Sequence, residues 1–273
     1  MSEPQQAPLK VVLCTIAFRE KLLDDALDAA HKLGFEGIEV WGREPHIGER
    51  YDENRVRAAQ KMIQAKELSV PVLSSYLRMG MTGPPPEDAV ELTDTLHSAR
   101  QLKARLVRVW MSDVASAKAT EAVWTKTVAE TRHACDCAAK LGLGLIAQMH
   151  DGTLADTGDA SRRLVEEVER GNFGVIYRVA TWDNGESPVE RLQKVLPYVR
   201  HVHARNYASP LPSRSDTPPA KAPLGSGVID YRRIVGTLRE AGYDGHIAIE
   251  FAYKDGDAKK AALAEDLAFL RSL

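Results

Sequence analysis

The feature of this sequence that most constrains its fold is a regular alternation of short strand-like runs with longer amphipathic runs. Several of the short runs are almost continuously apolar, which is typical of parallel strands buried on both faces. They span residues 10–16, 37–41, 70–76, 104–110, 142–149, 173–178, 199–204 and 246–251. Strand followed by helix eight times in about 250 residues predicts an α/β fold, the (β/α)8 TIM barrel.

The runs between the strands repeat apolar residues at helical spacing. The first of them ends in Leu33, and Gly34 then supplies the residue at which a helix commonly stops. The predicted helices cover 20–34, 53–68, 87–102, 120–141, 161–170, 187–196, 231–243 and 257–273. The alternative, a doubly wound open sheet, usually has a glycine-rich turn after its first strand. Here the first strand runs into CTIAFRE, without glycine, which favours the barrel.

Composition restricts the class of partner. The 273 residues are 44% hydrophobic and carry a net charge of −2 with both signs interspersed, so no basic stripe points to nucleic acid and no polybasic patch to a membrane surface. No run of about 18 apolar residues predicts a membrane span. The expected ligand is a small molecule, and a homo-oligomer is compatible with the sequence.

Three cysteines, Cys14, Cys135 and Cys137, are too few and too irregularly spaced for a disulfide framework or a zinc ribbon. A reduced, cytoplasmic setting is therefore expected. The polar start of the chain lacks an apolar signal-peptide region, so residues 1–8 are interpreted as a flexible tail and 9–273 as one barrel domain.

Two connections between a strand and the next helix are unusually long. They follow strands three (77–88) and seven (206–227), at the carboxyl end of the barrel, where active sites of this fold lie. Their proline and serine content predicts that 207–227 forms a semi-rigid flap over the barrel mouth without regular structure. The alternative is a tolerated insertion without a function.

Several segments resemble the sugar phosphate isomerase/epimerase family of xylose-isomerase-like TIM barrels. The segment LGSGVIDYRRIVGTLREAGYDGHIAIEF (224–251) resembles the end of that family, with its Gly-x-Gly turn, its Asp-Tyr helix entry and its closing strand that ends in Glu. FEGIEVW, IAQMHDGTLADTG and VRHVHARN resemble its second, fifth and seventh strands. The resemblance covers nearly the whole chain and implies the fold more specifically than the substrate.

The resemblance also implies where a metal would bind. The family holds one divalent ion with Glu, Asp, His and Glu at positions that here are Gln148, Arg178, His203 and Glu250. Two carboxylates are therefore replaced, one of them by a guanidinium that stays protonated and cannot ligate. A degraded site without a bound cofactor is expected. The alternative is a divalent ion (Mn, Mg, Co or Zn) on His203, Glu250 and Gln148.

Without a metal, other residues must perform the chemistry. The Arg178 guanidinium, held by Glu250, is expected to stabilise an enediolate, although the two could equally neutralise each other without any reaction. Glu250, His203 and His150 are the candidate bases for removing a proton from carbon. His201 lies deeper on the same strand face as His203 and is interpreted as a packed layer residue.

Polar and aromatic residues at the other strand ends are candidates for substrate binding. They are Gln148, Trp110, Arg108, Arg205, Glu39 and Tyr76. For Glu39 a buried structural pair, and for the aromatic residues ordinary packing, are the competing interpretations.

Together these features predict an isomerase or epimerase that abstracts a proton next to a carbonyl on a small polyhydroxy substrate. Two alternatives remain. The same proton abstraction could begin a β-elimination, which would make the protein a lyase or dehydratase. The loss of two ligands together instead favours a non-catalytic barrel that binds a sugar or serves as a partner subunit.

Overall fold

Eight parallel strands close into a barrel in a computed structural model that describes residues 8–85, 89–212 and 217–273. Around the barrel, each strand pairs with its neighbours in chain order, and the last strand returns to the first. The barrel strands are β1 (Lys10–Cys14), β2 (Gly37–Trp41), β3 (Ser69–Met79), β4 (Leu106–Met111), β5 (Gly144–Gln148), β6 (Phe173–Arg178), β7 (Val199–Ala204) and β10 (His246–Ile249). The predicted TIM barrel is confirmed.

A helix follows each of these strands and covers the outside of the barrel. The helices are α1 (Leu23–Leu33), α2 (Glu53–Ala65), α3 (Leu92–Gln101), α4 (Glu121–Ala139), α5 (Gly158–Val168), α6 (Pro188–Val195), α7 (Tyr231–Glu240) and α8 (Lys259–Arg271). The helix predicted over 87–102 begins only at Leu92, since the backbone of Glu91 is still extended. Among the described residues, no helix is long and apolar enough to cross a membrane.

Local side-chain chemistry fixes where several helices begin and end. The side chains of Asp52 and Thr157 accept hydrogen bonds from the first turns of α2 and α5, and Ser187 forms a capping box with Glu190 in α6. Gly34 ends α1 in the left-handed conformation with φ of 82°, as the sequence predicts. These caps set the point at which each loop leaves the barrel rim.

The barrel interior changes character from bottom to top. Because side chains alternate along a strand, every second residue of each strand points into the barrel. Val72, Ile146 and Ile176 fill one layer as an apolar cluster, and Val12 packs in a second cluster nearby. Toward the carboxyl ends the interior residues become polar and charged. A polar layer therefore lies above the apolar layers of the barrel interior.

The loop after β7 contains regular structure that the sequence analysis did not predict. Asn206–Tyr207 (β8) pairs antiparallel with Lys221–Ala222 (β9). The Asn206 carboxamide fastens this pair to the chain that follows: its oxygen accepts from the backbone N–H of Ile229, and its nitrogen donates to the carbonyl of Leu224. The prediction of a loop without regular structure is therefore wrong at these ends.

The same loop follows the carboxyl rim of the barrel. The backbone N–H of Asp183, beyond the end of β6, donates to the carbonyl of Pro212 at 2.9 Å. The Lys221 ammonium lies 4.5 Å from the ring centre of Phe251, the residue after Glu250. The central residues 213–216, residues 86–88 of the other long loop and residues 1–7 of the predicted tail 1–8 lie outside the described part of the chain.

One buried carboxyl of the outer layer predicts pH-dependent stability. Asp266 on α8 is 2% exposed and accepts a hydrogen bond from the backbone N–H of Leu224 at 2.7 Å. Burial, with a smaller effect of Glu265, raises the pKa of Asp266 to about 7. A carboxyl whose pKa is raised by folding makes the folded protein less stable as pH rises. The unfolded chain releases this proton from about pH 4, whereas the folded chain holds it until about pH 7.

Asp266→Asn removes this ionisation and keeps an oxygen that can accept from Leu224. We expect the variant to gain about 2–3 kcal/mol of unfolding free energy relative to the native chain between pH 5 and pH 8. Urea unfolding at both pH values measures this, with the exposed Asp257→Asn as control. A difference between variant and native chain that does not change with pH would contradict the assignment.

Candidate functional site

The upper layer of the barrel gathers charged side chains from strands that are far apart in sequence. Glu39, Gln148, Arg178, His203 and Glu250 all occupy carboxyl ends of strands, and none is more than 6% exposed. Arg178 of β6 and His203 of β7 are direct register partners, as are His203 and Ala248 of β10. Regular pairing in the sheet thus places these groups side by side.

Glu39 is shared by two histidines of β7. Its carboxylate lies 2.9 Å from Nε2 of His201 and 2.8 Å from Nε2 of His203. Burial would raise the pKa of Glu39, but the charge of His203 and hydrogen bonds from both imidazoles hold it well below its usual value. Burial would lower the pKa of His203, whereas the charges of Glu39 and Glu250 raise it to about 9. Carboxylate and imidazolium therefore stabilise each other.

The second ring nitrogen of His203 faces the positions at which the sequence analysis expected a metal. Its Nδ1 lies 3.3 Å from Nε2 of Gln148 and 3.4 Å from Oε1 of Glu250. Gln148 and Glu250 therefore surround one ring nitrogen of His203, and Glu39 contacts the other. His203 thus connects Glu39 below with Glu250 above.

The donor set fits a divalent metal in kind. Glu39, His201 and His203 each offer a ligand atom, and these atoms lie within 4.8 Å of one another. One carboxylate with two imidazoles suits zinc and similar ions, provided that both imidazoles give up the protons they now share with Glu39. The expected degraded site is wrong, because the sequence analysis did not count Glu39 and His201 among the candidate metal ligands.

Arg178 and Arg205 form a pair of guanidinium groups at the mouth. Both donate to the Thr181 hydroxyl, at 3.1 and 2.8 Å. Both also approach Oε2 of Glu250, at 3.9 and 3.7 Å, which are ion-pair and not hydrogen-bond distances. The predicted pairing of Arg178 with Glu250 is therefore an ion pair without a direct hydrogen bond. The hydrogen bonds of Arg178 go to the Thr181 hydroxyl and to the carbonyl of Met149.

Unused hydrogen-bonding capacity remains between these groups. Within the described chain, Nε of Arg178, Nε of Arg205 and Oε2 of Glu250 are buried without a hydrogen-bond partner. Burial and the neighbouring charge of Arg205 lower the pKa of Arg178 to about 10, so the Arg178 guanidinium stays charged at neutral pH. Burial opposes the ionisation of Glu250, but His203 and the two arginines keep its pKa far below the usual value. The site therefore contains charged side chains with polar atoms that could form hydrogen bonds to a ligand.

The outer helix α6 helps to position Arg178. Arg191, which is 1% exposed, donates from Nε to the carbonyl of Arg178 at 3.1 Å and from Nη1 to the carbonyl of Asp156 at 2.7 Å. Its charge is met by Glu186 at 3.2 Å. The end of β6 is therefore fastened from behind by a side chain that does not itself line the mouth.

His150 is a neutral imidazole at the same mouth. Its Nδ1 lies 2.9 Å from the carbonyl of Asp151, so Nδ1 donates and Nε2 carries the lone pair. Burial, and then the charge of Arg178, lowers the pKa of His150 to about 4. The Asp151 carboxylate accepts from the backbone N–H of Thr181 and lies 3.6 Å from Arg178. His150 can therefore accept a proton at neutral pH.

An aromatic wall faces His150. Tyr76 and Trp110 stack with ring centres 5.8 Å apart and an interplanar angle of 18°, and the His150 ring lies 4.9 Å from Trp110. The buried guanidinium of Arg108 lies 4.8 Å from the Tyr76 ring centre and 5.2 Å from that of Trp110. Trp41 donates from Nε1 to the Tyr76 hydroxyl at 3.0 Å. A flat ring of a ligand could pack against this wall.

The structure thus places all ten predicted residues at the mouth, in three contacting groups. Sequence reasoning assigned no site role to His201, Asp151 or Arg191. For His201 the available signal was its position two residues before His203 on the same strand face. For Asp151 the signal was its position directly after His150. For Arg191 the sequence offers no signal, since it lies on a helix and acts through a backbone carbonyl.

Comparisons with known proteins agree with this architecture. The model of the family described as "Xylose isomerase-like TIM barrel" matches residues 27–273. The chain is 24% identical over 271 residues to a 3-dehydroshikimate dehydratase of Bacillus anthracis, covering 93% of this chain and 95% of that one. It is 22% identical over 263 residues to an inosose dehydratase of Bacillus thuringiensis strain Al Hakam, covering 85% and 82%.

A solved structure shares the fold. The xylose isomerase-like TIM barrel protein from Mycobacterium smegmatis, crystallised in complex with magnesium, superimposes with a TM-score of 0.70 at 17% identity. The superposition covers 97% of this chain and 95% of that one.

The geometry around His203 predicts metal binding that depends on Glu39. We expect dialysis against Zn²⁺ or Mn²⁺ to leave about one ion per chain, and His203→Gln and Glu39→Gln to weaken binding at least about tenfold. Elemental analysis and calorimetric titration measure this. The exposed His133→Gln on α4 is the matched control. A native protein that binds neither ion, or variants that bind as tightly, would refute the assignment.

Proposed function

The chain belongs to the xylose isomerase-like TIM barrel family, and from that premise we propose that it is a lyase that removes water from a small polyhydroxy carbonyl compound. The similarity to two dehydratases over most of the chain supports a lyase over the isomerase expected from the sequence. Both reactions begin with loss of a proton next to a carbonyl, and they differ in what leaves or returns afterward.

The observation that carries the proposal is an unprotonated imidazole beside two charged guanidinium groups. Nε2 of His150 accepts the proton from the carbon next to the carbonyl, because Nδ1 donates to the carbonyl of Asp151 and leaves the lone pair on Nε2. The electron pair of the broken C–H bond moves toward the carbonyl oxygen. Nε–H groups of Arg178 and Arg205, which lack partners within the described chain, can donate to that oxygen.

The second half of the reaction expels hydroxide from the next carbon as water. The electron pair returns from oxygen, the new C=C bond forms, and the C–O bond breaks. The proton that Nε2 of His150 took up passes to the leaving oxygen, so the imidazole ends neutral and one water is released. Glu250 keeps both guanidinium groups in place, and Trp110 packs against the ring of the substrate.

A divalent ion bound to Glu39, His201 and His203 would supply Lewis acidity to a substrate oxygen at the floor of the mouth. The proton transfer assigned to His150 belongs to the chain's own residues.

The test uses 3-dehydroshikimate and inosose as probes, with and without added Mn²⁺. We expect loss of one water, seen by mass spectrometry, from at least one of them. His150→Asn should lower kcat by about 10²-fold or more, because the base is removed. The exposed His133→Asn on α4 is the control and should leave kcat unchanged.

Solvent deuterium separates the alternatives. Deuterium incorporated into recovered substrate or a stereoisomer, with no loss of water, would replace the lyase by an isomerase or epimerase. Absence of both water loss and exchange with these probes, in protein that binds them, would indicate a barrel that binds without catalysis.

A further inference from the structure

The charges of the barrel mouth do not balance. Arg108, Arg178 and Arg205 bring three guanidinium groups into the upper layer, whereas Glu250 and Asp151 are the carboxylates near them. Glu39, the remaining carboxylate of this layer, is already held by N–H groups of two histidines. Within the described residues, one guanidinium therefore lacks an anionic partner.

Arg108 is that guanidinium. Its hydrogen bonds go to the backbone carbonyls of Ser75, at 3.1 Å, and Ser74, at 3.4 Å, and it forms no ion pair within the described parts of the chain. It is 2% exposed and lies against the rings of Tyr76 and Trp110. A buried charge without a counter-charge is costly, and an anionic ligand would offset that cost.

Arg205 is the member of the three that a ligand can reach. Its side chain is 12% exposed, against 2% for Arg178, and its Nη1 lies 3.7 Å from Oε2 of Glu250, too far for a hydrogen bond. Its Nη2 is fixed by Val179 and Thr181, at 3.2 and 2.8 Å, so the plane of the guanidinium is set in advance. A fixed guanidinium with an unused N–H suits a planar carboxylate.

We infer that the substrate carries a carboxylate, which Arg205 binds directly in a layer where Arg108 has no counter-charge among the described residues. A planar carboxylate matches the fixed plane of the Arg205 guanidinium, and inorganic phosphate as a competitor tests this choice. The planar wall of Tyr76 and Trp110 can hold the ring that carries this group. The inference rests on the proposed function, because it assigns the carboxylate to the compound that the enzyme converts. The binding of a carboxylate can be tested without turnover.

Two probes that differ only in the acid group give the test. Calorimetric titration of the full chain compares 3,5-dihydroxybenzoate with 3,5-dihydroxybenzyl alcohol, and inorganic phosphate serves as a competitor. We expect the carboxylate to bind at least tenfold more tightly than the alcohol. Arg205→Gln should reduce this ratio to about threefold or less, and Arg205→Lys should restore part of it. The exposed Arg57→Gln on α2 is the matched control.

Equal binding of the two probes to the native protein would overturn the inference, and this result does not depend on any variant being folded. Displacement of the benzoate by inorganic phosphate at lower concentration than by acetate would overturn the choice of carboxylate over phosphate. Turnover distinguishes this inference from the proposed function. Dehydration of neutral inosose at least as efficiently as of the carboxylated 3-dehydroshikimate would overturn carboxylate selection and leave the lyase standing. Tight binding of the benzoate without dehydration of either compound would support carboxylate recognition and count against the lyase.

Discussion

The carboxylate of Glu39 ties together two strands that are 162 to 164 residues apart in sequence, through hydrogen bonds to His201 and His203. This contact is possible only because the sheet closes into a narrow barrel, in which inward side chains from non-neighbouring strands meet across the axis. It fixes the ring of His203, and His203 in turn faces Glu250 and Gln148. The other charged side chains of the mouth lie above this buried group. Their positions therefore depend on the closure of the barrel.

The sequence predicts the fold well because the fold is encoded locally. Each strand and helix carries its own hydrophobic pattern, and their order alone identifies the barrel. The sequence predicts an element less well where the element depends on pairing with a distant part of the chain and not on its own hydrophobic pattern. The end of β3 at Met79, three residues beyond the predicted end, depends on pairing with β4, and the β8–β9 pair depends on hydrogen bonds from the Asn206 side chain.

The site was predictable as a set of strand ends but not as a set of contacts. Placing Gln148, Arg178, His203 and Glu250 at one mouth requires only the parallel order of strands. The partnership of Glu39 with both histidines requires the phase and depth of two distant strands at once, which a sequence pattern does not specify. The nitrogen on which His150 carries its proton likewise depends on a single carbonyl, that of Asp151.

The Asn206 carboxamide fixes both ends of the loop after β7, and Gly227 lies so close that a Cβ there would fall 2.2 Å from it. The free-energy cost of closing a loop grows only slowly with its length. A chain clamped in this way can therefore gain, lose or exchange residues between Ala208 and Ala220 while the strands on either side stay in register. Descendants of one barrel could in this way acquire different ligand preferences through a single exchangeable segment, with the charged layer beneath inherited unchanged.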